Sequence, residues 1–237
     1  LEGAYSQILV NSRAVFSALN SVYGLDLDPT LAAAFLLVAL AVALSPGPDV
    51  MFVLASGMRH KTRGAVASAF GICAGSLAHA LAAALGISAL ISSSPTGFLV
   101  LQYLGAAYLA WLGFKAFRQF LRPAADSGAA LPQTPTAHVF GQALMTNLLN
   151  PKVIVFYLAL LPQFVSLPLG NVGLQIFWLG SIHAAIGLVY LVVIGCVAGQ
   201  ASHWLRTSGF ARWLDAVAGM VFFGLALRLA LTGRPTA

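Results

Sequence analysis

The stretch Leu44-Ser45-Pro46-Gly47-Pro48-Asp49 interrupts an apolar run that extends from Thr30 to Met58. Such a run is long enough to cross a bilayer, but two prolines and a glycine break it. Each proline lacks a backbone N–H and clashes with the carbonyl four residues earlier, so the carbonyls of Val42 and Leu44 lose their helical partners. In hydrocarbon an unmade backbone bond costs several kcal/mol, so broken backbone survives only against protein or a watery cavity. A second break lies at Asn147-Leu148-Leu149-Asn150-Pro151-Lys152, inside the run from Phe140 to Val165. Interrupted helices at corresponding places in two halves of a membrane protein point to a transport site.

Composition places the whole chain in the same class. Of 237 residues, 59% are hydrophobic and only 8% are charged, against about 25% charged in soluble domains. Besides the two broken runs there are four others, roughly Gly64–Ile91, Gly97–Arg118, Val172–Ala198 and Phe210–Thr232. All six reach the length a spanning helix needs, about 20 residues. The expected fold is an all-α integral membrane protein with six transmembrane helices. One transporter domain covers residues 30–237, with a flexible cytoplasmic linker, rich in Pro, Ala, Ser and Thr, over 119–138. The mixed segment Leu1–Pro29 is expected to be disordered or the product of a misplaced start, and it receives no function.

The basic residues set the orientation. Arg59, Lys61 and Arg63 fall between the first and second runs, Lys115, Arg118 and Arg122 at the end of the third and just beyond it, and Arg206 and Arg212 around the loop after the fifth. The intervening loops Ser92–Thr96 and Ser166–Asn171 carry no Lys or Arg. The positive-inside rule puts the odd loops in the cytoplasm and both termini outside, against the vote of Arg228 and Arg234. The net charge of +6 is spread over these loops rather than gathered on a soluble surface, which argues against nucleic-acid binding.

The halves resemble one another. Each has a proline-broken helix, then a helix carrying Gly-Ser with His close behind (Gly75-Ser76-Leu77-Ala78-His79 and Gly180-Ser181-Ile182-His183), then an intact helix. His79 follows Pro48, and His183 follows Pro151, at separations that differ by one residue. With three helices per half, the second half must run upside down, which makes a 3+3 inverted repeat with its site at the interface. About 13 Å of helix separates the first break from the cytoplasmic loop and about 15 Å the second, so both breaks are expected at similar depth.

Ser45-Pro46 and Asn150-Pro151 each read as an N-cap residue followed by proline at the first helical position. Two half-helix N-termini aimed at one region attract an anion such as a carboxylate. The carbonyls of Val42, Leu44 and Asn147 are acceptors for an ammonium group. A pocket with donors and acceptors so divided suits a zwitterion, of which an amino acid is the simplest. The expected substrate-binding set is therefore Ser45, Pro46, Gly47, Pro48, Asp49, Asn147, Asn150, Pro151 and Lys152.

Asp49 and Lys152 occupy matching positions after Pro48 and Pro151, and intramembrane charges are functional by default. They bind substrate or, equally, neutralise each other as a structural pair. Asn150 reads more readily as the cap of its own helix than as a substrate contact. Asp49, His79 and His183 are the proton-coupling candidates, imidazole being the side chain that titrates near neutral pH. For either histidine, a neutral ring bonded to a carbonyl is an equal alternative. Gln102 and Tyr108 line a pocket or bond across helices. Gly71 and Gly75 form a GxxxG pair that permits close helix approach, in a homodimer or within one chain.

At these residues the sequence resembles the LysE/RhtB family of amino-acid exporters, over roughly Ala33 to Leu231. The resemblance rests on Ser45-Pro46-Gly47-Pro48-Asp49, the basic Arg59–Arg63 loop leading into Gly71-Ile72 and Gly75, and Asn147-Leu148-Leu149-Asn150-Pro151-Lys152. Gly105-Ala106-Ala107-Tyr108-Leu109, Trp111-Leu112-Gly113 and Leu161-Pro162-Gln163-Phe164 support it. It implies efflux of amino acids or close derivatives across the inner (cytoplasmic) membrane, driven by the proton gradient, with no cofactor and no metal.

Three other readings are weaker. A thiol–disulfide relay needs two thiols that meet, whereas Cys73 and Cys196 sit at unmatched positions in the second and fifth runs. A metal exporter built on His79 and His183 has a thin ligand set. An intramembrane serine protease lacks its Gly-x-Ser-Gly setting, since Ala55-Ser56-Gly57 is preceded by Val53 and Leu54, so no enzyme is expected.

Overall fold

A computed structural model describes residues 27–45, 47–121 and 138–207, together with 220, 223, 224 and 227. Among these residues the regular structure is entirely helical. Pro46, the segment 1–26, the linker over 122–137 and most of the sixth apolar run lie outside the described residues, as does the side chain of Gln102.

Helix α1 (Pro29–Leu44) begins where Asp28 accepts hydrogen bonds from the N–H groups of Thr30 and Leu31, and Pro29 takes the first turn. Leu27, ahead of this cap, is buried in the core. The helix closes at Ser45, whose N–H donates to the Ala41 carbonyl at 3.1 Å.

Helix α2 (Pro48–Ser93) contains 46 residues and would measure about 70 Å if straight, twice the hydrocarbon thickness. It turns at Lys61, the residue with φ 54° and ψ −150°. A Cβ placed on Gly64 would lie 2.6 Å from the Ser56 carbonyl oxygen, an approach that an uninterrupted helix does not permit. The basic Arg59–Arg63 loop is thus the corner between two arms, as its charge led us to expect. Ser94 then separates α2 from α3 (Pro95–Leu121), and its hydroxyl accepts from Gly97 N–H at 3.1 Å.

The fourth run is less regular than a single broken helix. Helix α4 (Val139–Leu148) is followed by α5 (Pro151–Val155), a π turn over Phe156–Leu160 and a 3-10 turn over Leu161–Phe164. The second irregularity has its cause in Pro162, which has no N–H to give the Leu158 carbonyl and crowds it. Across the break at Leu149–Asn150, α4 and the segment Pro151–Phe164 are bent by 50°.

Helix α6 (Val172–Thr207) runs nine residues past the end expected at Ala198. The loop before it is stapled by Gln175, which is wholly buried. Its amide donates to the carbonyls of Ser166 and Gly170 at 2.9 and 2.6 Å and accepts from Ser166 N–H at 2.9 Å.

Among the described residues, Pro48–Ile87 and Val172–Ala198 are long and apolar enough to cross a membrane, and α4 with the segment Pro151–Phe164 makes a third span if the bent pair is counted as one. Large apolar side chains face outward, among them Leu85 at 69% exposure and Val189 at 66%, a surface that only lipid or another apolar partner covers. Inside, α1, the second arm of α2, the Phe156–Phe164 turns and α6 share a core centred on Phe35, Ile87, Tyr157, Leu160 and Leu179. A second cluster ties the two arms of α2 to α4 and α6 through Val50 and Val53 on the first arm, Ile72 on the second, Ala143 and Leu191. The Gly71–Gly75 pair is used within the chain: a Cβ on Gly71 would strike the Phe140 carbonyl oxygen, and one on Gly75 would lie 2.5 Å from Asn147 Oδ1.

Candidate functional site

Two interrupted backbones meet here, and each is completed by side chains of the other. Val42 cannot pass its carbonyl to residue 46, a proline without an N–H, and the C-terminal end of α1 gathers partial negative charge. Lys152, second residue of α5, fills that need. Its ammonium donates to the carbonyls of Val42 at 3.1 Å and Ser45 at 2.9 Å, and it lies 3.5 Å from Ser45 Oγ. Gly47 leaves room for it, since a Cβ there would come within 3.3 Å of Lys152 Nζ.

The second break is served from the first. Asn147, 1% exposed, donates from Nδ2 to Asp49 Oδ2 at 2.8 Å. His79 lies with Nε2 3.3 Å from the Asn147 carbonyl, which only accepts, so the bond places the ring proton on Nε2. The same carbonyl also accepts from Asn150 N–H at 3.0 Å. His183, on α6, bonds to the Ala39 carbonyl of α1. His79 on α2 thus reaches α4, and His183 on α6 reaches α1.

Not every expectation about the caps holds. Asn150 does cap α5, its Oδ1 accepting from Lys152 N–H at 3.1 Å. Ser45 is not an N-cap; it closes α1, and α2 begins at Pro48 after Gly47, with no side-chain cap. The reason is local: the residue before a proline is pushed out of the helical region, so Gly47 is extended and no helix starts ahead of Pro48. Asp49 lies in the first turn of α2, so the helix end already has a carboxylate. Asp49 and Lys152 direct their hydrogen bonds to opposite breaks rather than to each other.

Four buried polar atoms in this region have no hydrogen-bond partner: Asp49 Oδ1, Asn147 Oδ1, Asn150 Nδ2 and His183 Nδ1. Two are acceptors on side chains that bond to each other, one is a donor, and the imidazole nitrogen, with Nε2–H donating to the Ala39 carbonyl, is an acceptor in the neutral ring. Buried polar atoms are nearly always paired, and one left alone costs about 1–3 kcal/mol. The centre is thus built with bonding capacity that the chain itself does not use.

Tyr157, which no motif in the sequence marks, also belongs to this centre. It is wholly buried, stacks on His79 with ring centroids 5.7 Å apart, and meets His183 edge-on at 5.9 Å. Its hydroxyl donates to the Gly180 carbonyl at 3.1 Å and bonds to the Ser76 side chain. A tyrosine in mid-run needs a partner for its hydroxyl, and that was the available signal. Cys73 and Cys196 are free, half-buried thiols on α2 and α6.

Comparison with known proteins gives a consistent picture. A family model described as LysE type translocator matches residues 40–233. A leucine efflux protein of Enterobacter sp. strain 638 is 30% identical over 195 residues, which cover 81% of this chain and 91% of that protein. The leucine efflux protein of Salmonella typhimurium is 30% identical over 199 residues, 83% of this chain and 92% of its own. An uncharacterized membrane protein of Bacillus subtilis, YrhP, is 27% identical over 206 residues, covering 84% and 98%. No solved structure matches.

Proposed function

Since the chain belongs to the LysE type translocator family, we propose that it exports an amino acid or close derivative across the cytoplasmic membrane in exchange for protons. The observation that carries this reading is the set of unpaired buried atoms beside two charges held across the breaks. Asp49 Oδ1 and Asn147 Oδ1 accept an ammonium group, and Asn150 Nδ2 donates to a carboxylate. A zwitterion satisfies both sides at once.

Asp49 is the coupling residue. Its free oxygen takes either a substrate ammonium or a proton, and mutual exclusion at one carboxylate is the simplest arrangement for antiport. His79 and His183 hold the two broken helices in register through Asn147 and Ala39. In this reading the six runs form a 3+3 inverted repeat, the odd loops face the cytoplasm and both termini lie outside.

The relatives named as leucine efflux proteins put leucine and its neighbours first in the test. Cells with and without the chain are loaded with labelled amino acids, and release is followed as the proton gradient is collapsed. Release of at least one amino acid that depends on the chain and slows on collapse is the expected result. Equal release from both cell types across the panel refutes the reading.

A further inference from the structure

Two sequence motifs, Gly75-Ser76 with His79 and Gly180-Ser181 with His183, close on one side chain in the folded chain. That side chain is Tyr157, which is wholly buried. Its hydroxyl has a single proton, which goes to the Gly180 carbonyl at 3.1 Å. The Ser76 hydroxyl is therefore the donor in the bond between Ser76 and Tyr157. Ser76 stands three residues before His79, and Gly180 three before His183, about one helical turn in each case. The phenol holds each motif one turn ahead of its histidine, while the ring meets both imidazoles.

The two imidazoles are met differently. The His79 ring lies at 22° to the phenol with centroids 5.7 Å apart, whereas His183 stands at 72° and 5.9 Å. A nearly parallel neighbour fixes the plane in which the His79 Nε2–H points. That proton lies on the Asn147 carbonyl at 3.3 Å, just beyond the usual range for such a bond, so a small rotation of the ring loses it. Tyr157 itself has little freedom. A Cβ on Gly180 would come within 2.9 Å of its ring, and Phe156 packs edge-on at 5.2 Å. The first half has no counterpart: Leu54 follows Pro48 at the separation by which Tyr157 follows Pro151. One hydroxyl serves both motifs.

We propose that Tyr157 is a positioning residue of the export site. By tying Ser76 to Gly180 and stacking on His79, it keeps the imidazole proton on the Asn147 carbonyl and so holds the Asn147 amide against Asp49. The inference rests on the export reading but fails separately from it.

The first test is a nitrogen NMR spectrum of the full chain, labelled at histidine, in proteoliposomes. The His79 signals are those absent from His79→Gln. In the parent chain Nε2 should carry the proton. Tyr157→Phe keeps the ring and loses the hydroxyl, and its His79 proton should divide between Nε2 and Nδ1. Ser76→Ala, which leaves the ring and the Gly180 bond in place, should shift the proton in the same direction by less, and replaces Tyr157→Phe if that variant does not fold.

The second test is export. Tyr157→Phe should slow release by about tenfold, the upper worth of one neutral hydrogen bond. His79→Gln retains an N–H for the Asn147 carbonyl but has no ring to orient. In that background Tyr157→Phe should change release by no more than about twofold, because residues acting along one path are not additive. A bare His79 Nε2 in the parent chain overturns the proposal, as does a proton that stays wholly on Nε2 in Tyr157→Phe. Single effects that multiply in the double variant overturn it too, since Tyr157 is then packing alone. Failure of the export reading shows instead as no release of any amino acid by the unaltered chain, with the NMR result unaffected.

Discussion

Replacing Lys152 by Met keeps most of the stem and removes the ammonium, which makes it the sharpest probe of how the first break is held. In the structure that ammonium is the donor to the carbonyls of Val42 and Ser45, residues only 3% and 4% exposed. Each carbonyl left alone costs about 1–3 kcal/mol. Removing a partly buried charge returns some of that, because desolvating an ammonium is itself expensive. A net loss of about 2–4 kcal/mol is expected. It is measured as the shift in free energy of unfolding in mixed micelles at fixed lipid. Lys152→Ala opens the same space further, and methylammonium should restore part of the loss, whereas tetramethylammonium, which has no N–H, should not. Export by Lys152→Ala is expected to fall to background with the protein still in the membrane. Stability within about 0.5 kcal/mol of the parent chain for Lys152→Met, the range of an ordinary surface change, would refute the capping argument. Normal export by Lys152→Ala would refute its place in the site.

Four other outcomes separate structural from transport roles. Asp49→Asn keeps an oxygen for Asn147 Nδ2 but cannot ionise; stability should change by no more than about 1 kcal/mol while proton-dependent export is lost, read in the same flux assay. Asn150→Ser retains an oxygen able to cap α5 and removes the unpaired Nδ2; the unfolding free energy should fall by no more than about 1 kcal/mol while substrate affinity drops, whereas unchanged affinity would make Asn150 a cap alone. Gly75→Ala forces a Cβ to 2.5 Å from Asn147 Oδ1 and should cost about 1–3 kcal/mol, while Gly86→Ala, with nothing within 4 Å, should gain about 0.5–1 kcal/mol; the two unfolding curves side by side decide it. Lys61→Gly relieves a residue at φ 54° and should stabilise by about 1 kcal/mol, with Arg59 and Arg63 left to keep the corner basic.

The breaks and the corner were legible because proline and charge act locally. Pro151 after Asn150 gave the second half-helix its start and its cap, and the Arg59–Arg63 cluster marked the turn at Lys61. The first break was misjudged by two residues. With prolines at both 46 and 48, a serine side chain argues for a start after Ser45, but the constraint on the residue before Pro48 is stronger. Pro162 acts on the helix behind it as well as on its own position, and the π turn at Phe156–Leu160 is that effect. Gln175 and Tyr157 were invisible for another reason. Their partners, the Ser166–Gly170 loop and the Gly180 carbonyl, become neighbours only in the folded chain.

Lys152 and the freed Val42 carbonyl were both singled out from sequence, but only packing joins them. The join also has a consequence for movement. Bonds to charged groups contribute roughly 1.5–3 kcal/mol each, and here Lys152 bridges to α1 while Asp49 bridges to Asn147. Parting the breaks is uphill by several kcal/mol if both bridges are simply lost. The ascent is lowered when incoming groups of the same chemistry replace those that leave. An amino acid brings an ammonium and a carboxylate together, whereas an amine or an acid alone compensates only one side. On the proposed export reading the pair of bridges is expected to act as a filter for zwitterions: the des-amino and decarboxylated analogues of the transported amino acid should bind the chain yet fail to leave the cell. Export of either analogue at the rate of the parent compound would show that the bridges take no part in selection.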